Sequence, residues 1–422
     1  MTMSVTTNIE RIDNRIIVKG VLFDFHRLLS YIHQIVEKLK YQSVTLDMEG
    51  CTKAFQQSML SVCAQVMAYR QSGIDFNLIP PSEIAVKNLF KNTSWGYFLD
   101  PRQFDPSAFK GHTRIPATQY KTPDEQQIAV NKIVNVMLGA IPELKRADIA
   151  AFEWALNELT DNVLVHSDSP IGGLVQVSTF VKGAKRVQFV VADAGIGIPA
   201  SLRPGHPEIN SDIDALDRAI REGVTRDPNI GQGNGMFGSY EICYKSGGDF
   251  LVDSGYARLK YSPNVGFSIQ EQGVPYSGTL IVATIDFSDP KLLEEALQFD
   301  GKKYTPLDYV EKKYELNQNG DILFRLQDEC SSFGSRVAGK PVRHKLKNLI
   351  EMSQWGVLTV DFDGLPLLSS SFADEAFGKL FLSTGPVKFM QKVRLVNMSP
   401  IVEGLVNKAI AQRMMTGKSD VD

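Results

Sequence analysis

Helical and strand periodicities alternate along the first hundred residues. RIIVKG at 15–20 reads as a short strand. Phe25, Leu28, Leu29, Ile32, Ile35, Val36 and Leu39 recur every three or four residues, which makes 23–42 an amphipathic helix. SVTLDM at 43–48 is a second strand, EGCT a turn, and QSMLSVCAQVMAYRQSG a helix closed by Gly73. DFNLIP is a third strand, and EIAVKNLFKNTSWGYF at 83–98 a last helix. This βαβαβα order predicts a small sheet with helices packed against it over 1–98. Residues 99–121 are rich in Pro, Gly and polar side chains and read as a linker.

A second body is expected over 122–287. Thr122-Pro123-Asp124-Glu125 announces a helix, with Thr as N-cap, Pro in the first turn and Glu at the capping-box position. In the next helix Ile149, Phe152, Leu156, Leu159, Val163 and His166 form one buried stripe. Glu158 and Asn162, four apart, stack on another face with Asp161 beside them. Asn and Asp are weak helix formers, so an ordinary solvated face would not favour them. LVQVSTFV and RVQFVVAD form a hairpin through KGAK, and the second strand ends at Asp193. The glycine-rich turn 193–198 follows, then a helix capped by Ser211 and Asp214. Next come the glycine loop 231–238, a helix closed by Gly247-Gly248, and further strands to 287.

Residues 288–317 are charged and irregular and read as a connector. Strand and helix then alternate again over 318–415, and 416–422 is a frayed tail. The two ends of the chain share a short motif. Leu46-Asp47-Met48-Glu49-Gly50 matches Val360-Asp361-Phe362-Asp363-Gly364: a strand end, then acid, apolar, acid and glycine.

Composition narrows the class. The length suggests about three domains. With 45 basic and 48 acidic side chains the net charge is -3, so nothing in the overall charge points to nucleic acid. The four cysteines lack metal-ligand spacing and read as buried thiols in a reducing compartment. The N-terminus lacks a secretory pattern. No apolar run approaches the ~20 residues of a membrane helix. A cytoplasmic protein is expected.

The candidate chemistry is that of a nucleotide. An adenine amino group needs a carboxylate acceptor, and magnesium needs a few hard oxygens and retains waters. Phosphates need backbone N–H groups, and hydrolysis needs a carboxylate to orient water. Asp193 at a strand end, Asn162 on a helix, the 231–238 loop and Glu158 supply these in turn. The loop neither follows a strand directly nor ends in GK[ST], so it fits neither a dinucleotide fingerprint nor a P-loop.

These boxes together resemble the GHKL superfamily of gyrase-type topoisomerases, heat-shock chaperones, histidine kinases, MutL-type repair proteins and anti-sigma-factor kinases. The residues that carry the resemblance are Glu158-Leu159-Thr160-Asp161-Asn162, Asp193-Ala194-Gly195-Ile196-Gly197, Gly231 to Gly238, and Gly278-Thr279, with AIREGVTR at 219–226 similar to the lid stretch. The resemblance implies a two-layer α/β sandwich over 122–287 that binds ATP and Mg2+. Asn162 would hold magnesium. Asp193 would bind the adenine amino group, with Thr279 supporting it through water. Gly195 and Gly197 would pass close to the base. Gly233, Gly235 and Gly238 would cradle phosphates under a lid over 199–238, and Glu158 would be the general base. A lysine from the next domain reaches the γ-phosphate in gyrase-like members, a part open here to Lys302 or Lys303. ATP-dependent dimerisation is also common in that group.

VDFDGLPLLSSSFADEAFGKL resembles STAS-like domains, the fold of anti-sigma-factor antagonists, in which a serine at the helix start is phosphorylated. Ser370 or Ser371 falls near that place, with Ser369 just before. The expectation is therefore an α/β chain with a central ATP-binding domain and a smaller STAS-like α/β domain on each side. Protein partners would act through the flanks, with no membrane. Three activities remain open: an ATPase switch, a protein serine kinase, and a non-hydrolysing ATP-gated module.

Overall fold

The computed structural model describes residues 7–23, 25–107, 115–180, 185–221, 223, 235–288, 298–299, 302–303, 309–317, 320–330, 332–353 and 356–416. The chain mixes helices with several sheets, the α/β class expected. It divides into two units, one of residues 1–133 with 154–298, the other of 134–153 with 299–422.

The first unit opens with an antiparallel hairpin, β1 (Thr7–Ile12) and β2 (Arg15–Leu22). Its tight turn puts Asp13 at φ 50°, a conformation Asp tolerates better than most residues. Helix α1 (Phe25–His33) buries Phe25, Leu28, Leu29 and Ile32 and continues as a π-helical turn over 34–38 that buries Ile35 and Val36, whereas Leu39, the last residue of the predicted stripe, is exposed. Then come β3 (Ser43–Asp47), β4 (Cys51–Ala54), α2 (Gln56–Gln71) and β5 (Asp75–Ile79). The sheet runs β1-β2-β3-β5, with β2, β3 and β5 parallel and β4 also on β2. The single helix expected over 83–98 is two, α3 (Ile84–Asn92) and α4 (Trp95–Leu99). Ser94, left-handed at φ 63°, makes the break.

Within the expected linker, Thr118–Tyr120 forms a strand, β6. Helix α5 (Pro123–Ala140) starts on the predicted signal. Thr122 Oγ1 accepts from the Glu125 N–H, and the Glu125 carboxylate accepts from the Lys121 N–H at 2.7 Å. Helix α6 (Arg146–His166) follows, then β7 (Gly173–Phe180) and β8 (Arg186–Asp193). Short helices α7 (Gly197–Leu202) and α8 (Asp212–Ala219) precede α9 (Gly235–Lys245) and the long hairpin of β9 (Phe250–Ser262) and β10 (Gly266–Asp286). Ser211 Oγ caps α8 through the Asp214 N–H, as its sequence predicts. The second sheet is antiparallel throughout, in the order β6-β7-β8-β10-β9.

Helix α2 joins the two sheets of this unit. It is buried almost all round from Ser58 to Val66, as a helix without a distinct polar face must be. One apolar cluster contains Val44, Leu46, Phe76 and Leu78 of the first sheet and Met59, Leu60 and Val62 of α2. The same cluster takes in Leu174, Val190, Ala192, Leu280 and Val282 of the second sheet. Polar residues on that face of the second sheet are paired rather than solvated, Gln176 and Ser178 buried and Gln188 half-buried. Gln56 Nε2 donates to Gln188 Oε1 at 2.8 Å, Ser178 Oγ donates to Gln56 Oε1 at 2.8 Å, and Trp95 Nε1 donates to Gln176 Oε1 at 2.8 Å. The opposite face carries Val175, Val177, Val187, Phe189 and Val191, all buried, and ends at Asp193.

The second unit holds the loop between α5 and α6. Asn348, fully buried, receives the Leu144 N–H and donates to the carbonyls of Leu138 and Ile141. It thereby satisfies backbone groups that a helix end leaves unpaired. In the stretch expected as a connector, β11 (Gln298–Phe299) and β12 (Lys302–Lys303) are two-residue strands. A parallel sheet follows, in the order β13 (Ile322–Arg325), β14 (Leu358–Asp361), β15 (Val393–Val396). The helices around it include Tyr309–Tyr314, Leu326–Glu329, Arg336–Met352, Ser370–Ala373 leading through a π-helical turn into Lys379–Thr384, Pro386–Lys392 and Pro400–Thr416.

The sequence motif shared by the two ends has a physical basis. Asp47 Oδ1 accepts from the Glu49 N–H, and Asp361 Oδ1 accepts from the Asp363 N–H, each at 3.0 Å. The Met48 N–H donates to the Ile79 carbonyl and the Phe362 N–H to the Val396 carbonyl, tying each turn to the next parallel strand. Both turns close on a main-chain bond, Cys51 N–H to Met48 and Leu365 N–H to Phe362. The first acid of each motif is thus a turn former, with its side chain standing in for a backbone acceptor. Among the described residues no helix is long and apolar enough to cross a membrane.

Candidate functional site

Asp193 closes β8 and is 1% exposed. Its carboxylate accepts the Gly195 N–H at 2.8 Å and also the Thr279 N–H. Burial pushes its pKa from the ordinary 3.8 up to about 7, against the pull of those two amides. No cationic side chain pairs with it among the described residues.

The turn after Asp193 is built on glycines that nothing else could replace. A Cβ on Gly195 would collide with the Ser167 carbonyl, just past the end of α6. Gly278 sits at φ 92°, and a Cβ there would come within 2.6 Å of Asp193 Oδ1 and 2.7 Å of the Gly195 N. Ser254 Oγ ties the turns together: it donates to the Gly278 carbonyl at 2.7 Å and accepts from the Ile198 N–H at 2.9 Å. Tyr276 Oη donates to the Asp193 carbonyl at 3.2 Å, and the Ile196 N–H donates to the Ser167 carbonyl at 2.7 Å. Asp193, Gly195, Gly197 and Thr279 are therefore brought together.

Glu158 and Asn162 lie on α6, half-buried, and neither side chain makes a hydrogen bond among the described residues. Burial, helped by the Asp161 charge, raises the Glu158 pKa. The Glu158 carboxylate packs against Gly235, where α9 begins, so closely that a Cβ at 235 would collide with it. Behind this face Gln126 Nε2 of α5 donates to Thr160 Oγ1 at 2.7 Å, so Thr160 serves helix packing. Gly235 and Gly238 lie in the first turn of α9, with Gly238 buried. Gly233, the loop 231–234 and residues 222 and 224–226 of the lid stretch lie outside the described residues. The side chains of Lys302 and Lys303 lie outside them as well.

Among the described residues no cluster of three or more His, Cys, Asp or Glu could hold a metal ion. A magnesium ion here would have to rest on the Asn162 carbonyl, waters and ligand phosphates. That set suits a cation that keeps much of its hydration. Three residues of the site were not anticipated: Ser254 and Tyr276, which brace the Asp193 turn, and Tyr120 of β6. Ser254 and Tyr276 lie inside strand patterns whose pairing fixes them, and Tyr120 lay in a stretch that read as linker.

The other candidate residues lie in the second unit. Ser369 is the N-cap of its helix, and its Oγ accepts the Phe372 N–H at 3.0 Å. Ser370, the first helical residue, is exposed; Ser371 is half-buried with its Oγ 3.0 Å from that of Ser369. Residues 338–403 match the STAS-like domain of unknown function (DUF4325). That match covers the helix Arg336–Met352 almost whole, strands β14 and β15, and the serine run between them. No curated protein matches the chain. In the first unit the helix start corresponding to this serine run, 55–58, carries Gln56 and Ser58 instead, both buried.

Proposed function

We propose that the chain binds ATP with magnesium and hydrolyses it, acting as a nucleotide-driven switch on its STAS-like domain. The observation that carries this reading is Asp193. A carboxylate buried with two backbone amides and, among the described residues, no cation is costly unless an external donor uses its remaining acceptor positions. The amino group of adenine is such a donor. Bound ATP would bring phosphates that chelate magnesium, with the Asn162 amide oxygen as the protein's ligand.

Glu158 suits the work of orienting water. It is half-buried and has no hydrogen-bonding partner among the described residues, and burial raises its pKa, which makes it a stronger base than an ordinary carboxylate. Its place against the start of α9 would set it beside phosphates drawn to that helix end. The helix that carries Glu158 and Asn162 begins within the unit of the STAS-like domain, and this continuity supports a switch. Partners would be proteins bound through the STAS-like domain.

Phosphate release by the purified protein tests the reading, wild type against Glu158→Ala, with ATP binding measured in parallel. The expected result is turnover that disappears in the variant while binding persists. A wild type that binds ATP and releases no phosphate would leave a non-hydrolysing module. A wild type that fails to bind ATP would refute the proposal. A second reading, transfer to serine, is favoured by the exposure of Ser370 beyond its N-cap. Phosphate there would meet a helix N-terminus. Phosphoserine at Ser370 or Ser371 after incubation with ATP supports that reading; its absence removes it.

A further inference from the structure

Tyr120 is fully buried, and its hydroxyl has no hydrogen-bond partner among the described residues. Native proteins leave few such groups, because an unsatisfied buried hydroxyl costs stability that phenylalanine would not. Its position explains why a hydroxyl is there. Tyr120 pairs with Gly173 across β6 and β7, and Gly173 pairs with Asp193 across β7 and β8. Residues paired in this way put their side chains on the same face of the sheet. Tyr120 and Asp193 therefore share one face, two strand spacings or about 10 Å apart, with a residue that has no side chain between them. The tyrosine ring lies across that gap: a Cβ on Gly173 would collide with its Cζ and Oη. The hydroxyl end has thus crossed one strand toward Asp193, and the charges it feels are those of Asp193 and Asp161.

We propose that Tyr120 is a base-recognition residue, whose hydroxyl donates to the ring nitrogen beside the amino group that Asp193 accepts. This rests on the ATP reading above and adds to it. Asp193 alone selects for an amino group. A donor next to it selects for an amino group flanked by an unprotonated ring nitrogen, the pattern of adenine at its 6-amino group and N1. Guanine presents a carbonyl and a protonated nitrogen at those places and would face both protein groups with the wrong partner. Gly173 is then a specificity element as well, since any side chain there would block the ring.

Calorimetric titration of ATP and of 1-deaza-ATP, in which a C–H replaces that ring nitrogen, into wild type and Tyr120→Phe tests this. The variant is expected to bind ATP about three- to tenfold more weakly than wild type, the worth of one buried hydrogen bond. Wild type should prefer ATP over 1-deaza-ATP by a similar factor, and the variant should bind the two alike. Without nucleotide the variant should melt no lower than wild type. Equal affinity of wild type and variant for ATP overturns the assignment and leaves the ATP reading intact. An equal loss for both nucleotides means that the hydroxyl serves packing and also overturns it. If the variant does not fold, wild type alone decides: equal affinity for ATP and 1-deaza-ATP overturns the assignment. A wild type that binds neither nucleotide overturns both proposals.

Discussion

Replacing Asp193 by asparagine should make the nucleotide-free protein more stable at alkaline pH while abolishing ATP binding. The reasoning runs through proton linkage. In the folded protein the carboxyl holds its proton up to about pH 7, whereas in the unfolded chain it releases it near the ordinary 3.8. Each tenfold difference in acidity corresponds to about 1.4 kcal/mol. The group therefore subtracts nothing from stability well below pH 4, progressively more between pH 4 and 7, and a full ~4 kcal/mol at pH 8. Asparagine carries no such pH-dependent burden. It has only one oxygen for the Gly195 and Thr279 amides, which returns about 1–2 kcal/mol of the gain. The net advantage of Asp193→Asn at pH 8 is thus about 2–3 kcal/mol, and it shrinks to near zero at pH 5. Urea denaturation of both proteins at the two pH values measures it. A variant that is less stable than wild type by the same amount at pH 5 and pH 8 would refute the claim that this carboxylate is held against its own desolvation. ATP binding that survives the substitution would remove Asp193 from the site.

Other substitutions probe features that do not depend on the nucleotide. Gly195→Ala must move the Ser167 carbonyl and should lower stability by about 2 kcal/mol or more, read from the denaturation midpoint. Asn348→Leu leaves the Leu144 N–H and two carbonyls buried without partners, so a loss of about 3 kcal/mol or more is expected in chemical denaturation. Glu329→Gln strands the Lys345 ammonium, buried 2.7 Å from the carboxylate, and should cost about 3–5 kcal/mol at neutral pH. The double variant Glu329→Gln, Lys345→Met should recover much of that loss in the same assay.

The legible and illegible parts of the chain differ for physical reasons. Helix starts such as Thr122 and Ser211 were readable because their caps are local, made by side chains within four residues. The Asp193 turn was readable because glycines at 195, 197 and 278 answer to backbone crowding that no other residue survives. Strand β6 was not readable, since three residues between Pro116 and Pro123 carry no periodicity and owe their conformation to pairing with β7. The role of Gln176, Ser178 and Gln188 was hidden for a related reason. Alternating with valines, they look like the wet face of a half-buried sheet. Their partners, Gln56 and Trp95, are more than seventy residues away in sequence. The break at Ser94 was missed because the apolar spacing continues through it.

The position of α2 bears on how separable the parts of this protein are. A domain that can be cut out, swapped or grafted needs a surface that water accepts. The central sheet has no such surface behind Asp193, because Leu174, Val190, Ala192, Leu280 and Val282 share one core with the N-terminal residues. A fragment that begins near residue 122 would expose that face, lose β6 and Tyr120 with it, and be prone to self-association. Shuffling at this boundary would have to replace both sides at once, so residues 1–133 and 154–298 behave as a single part rather than as a module with an accessory.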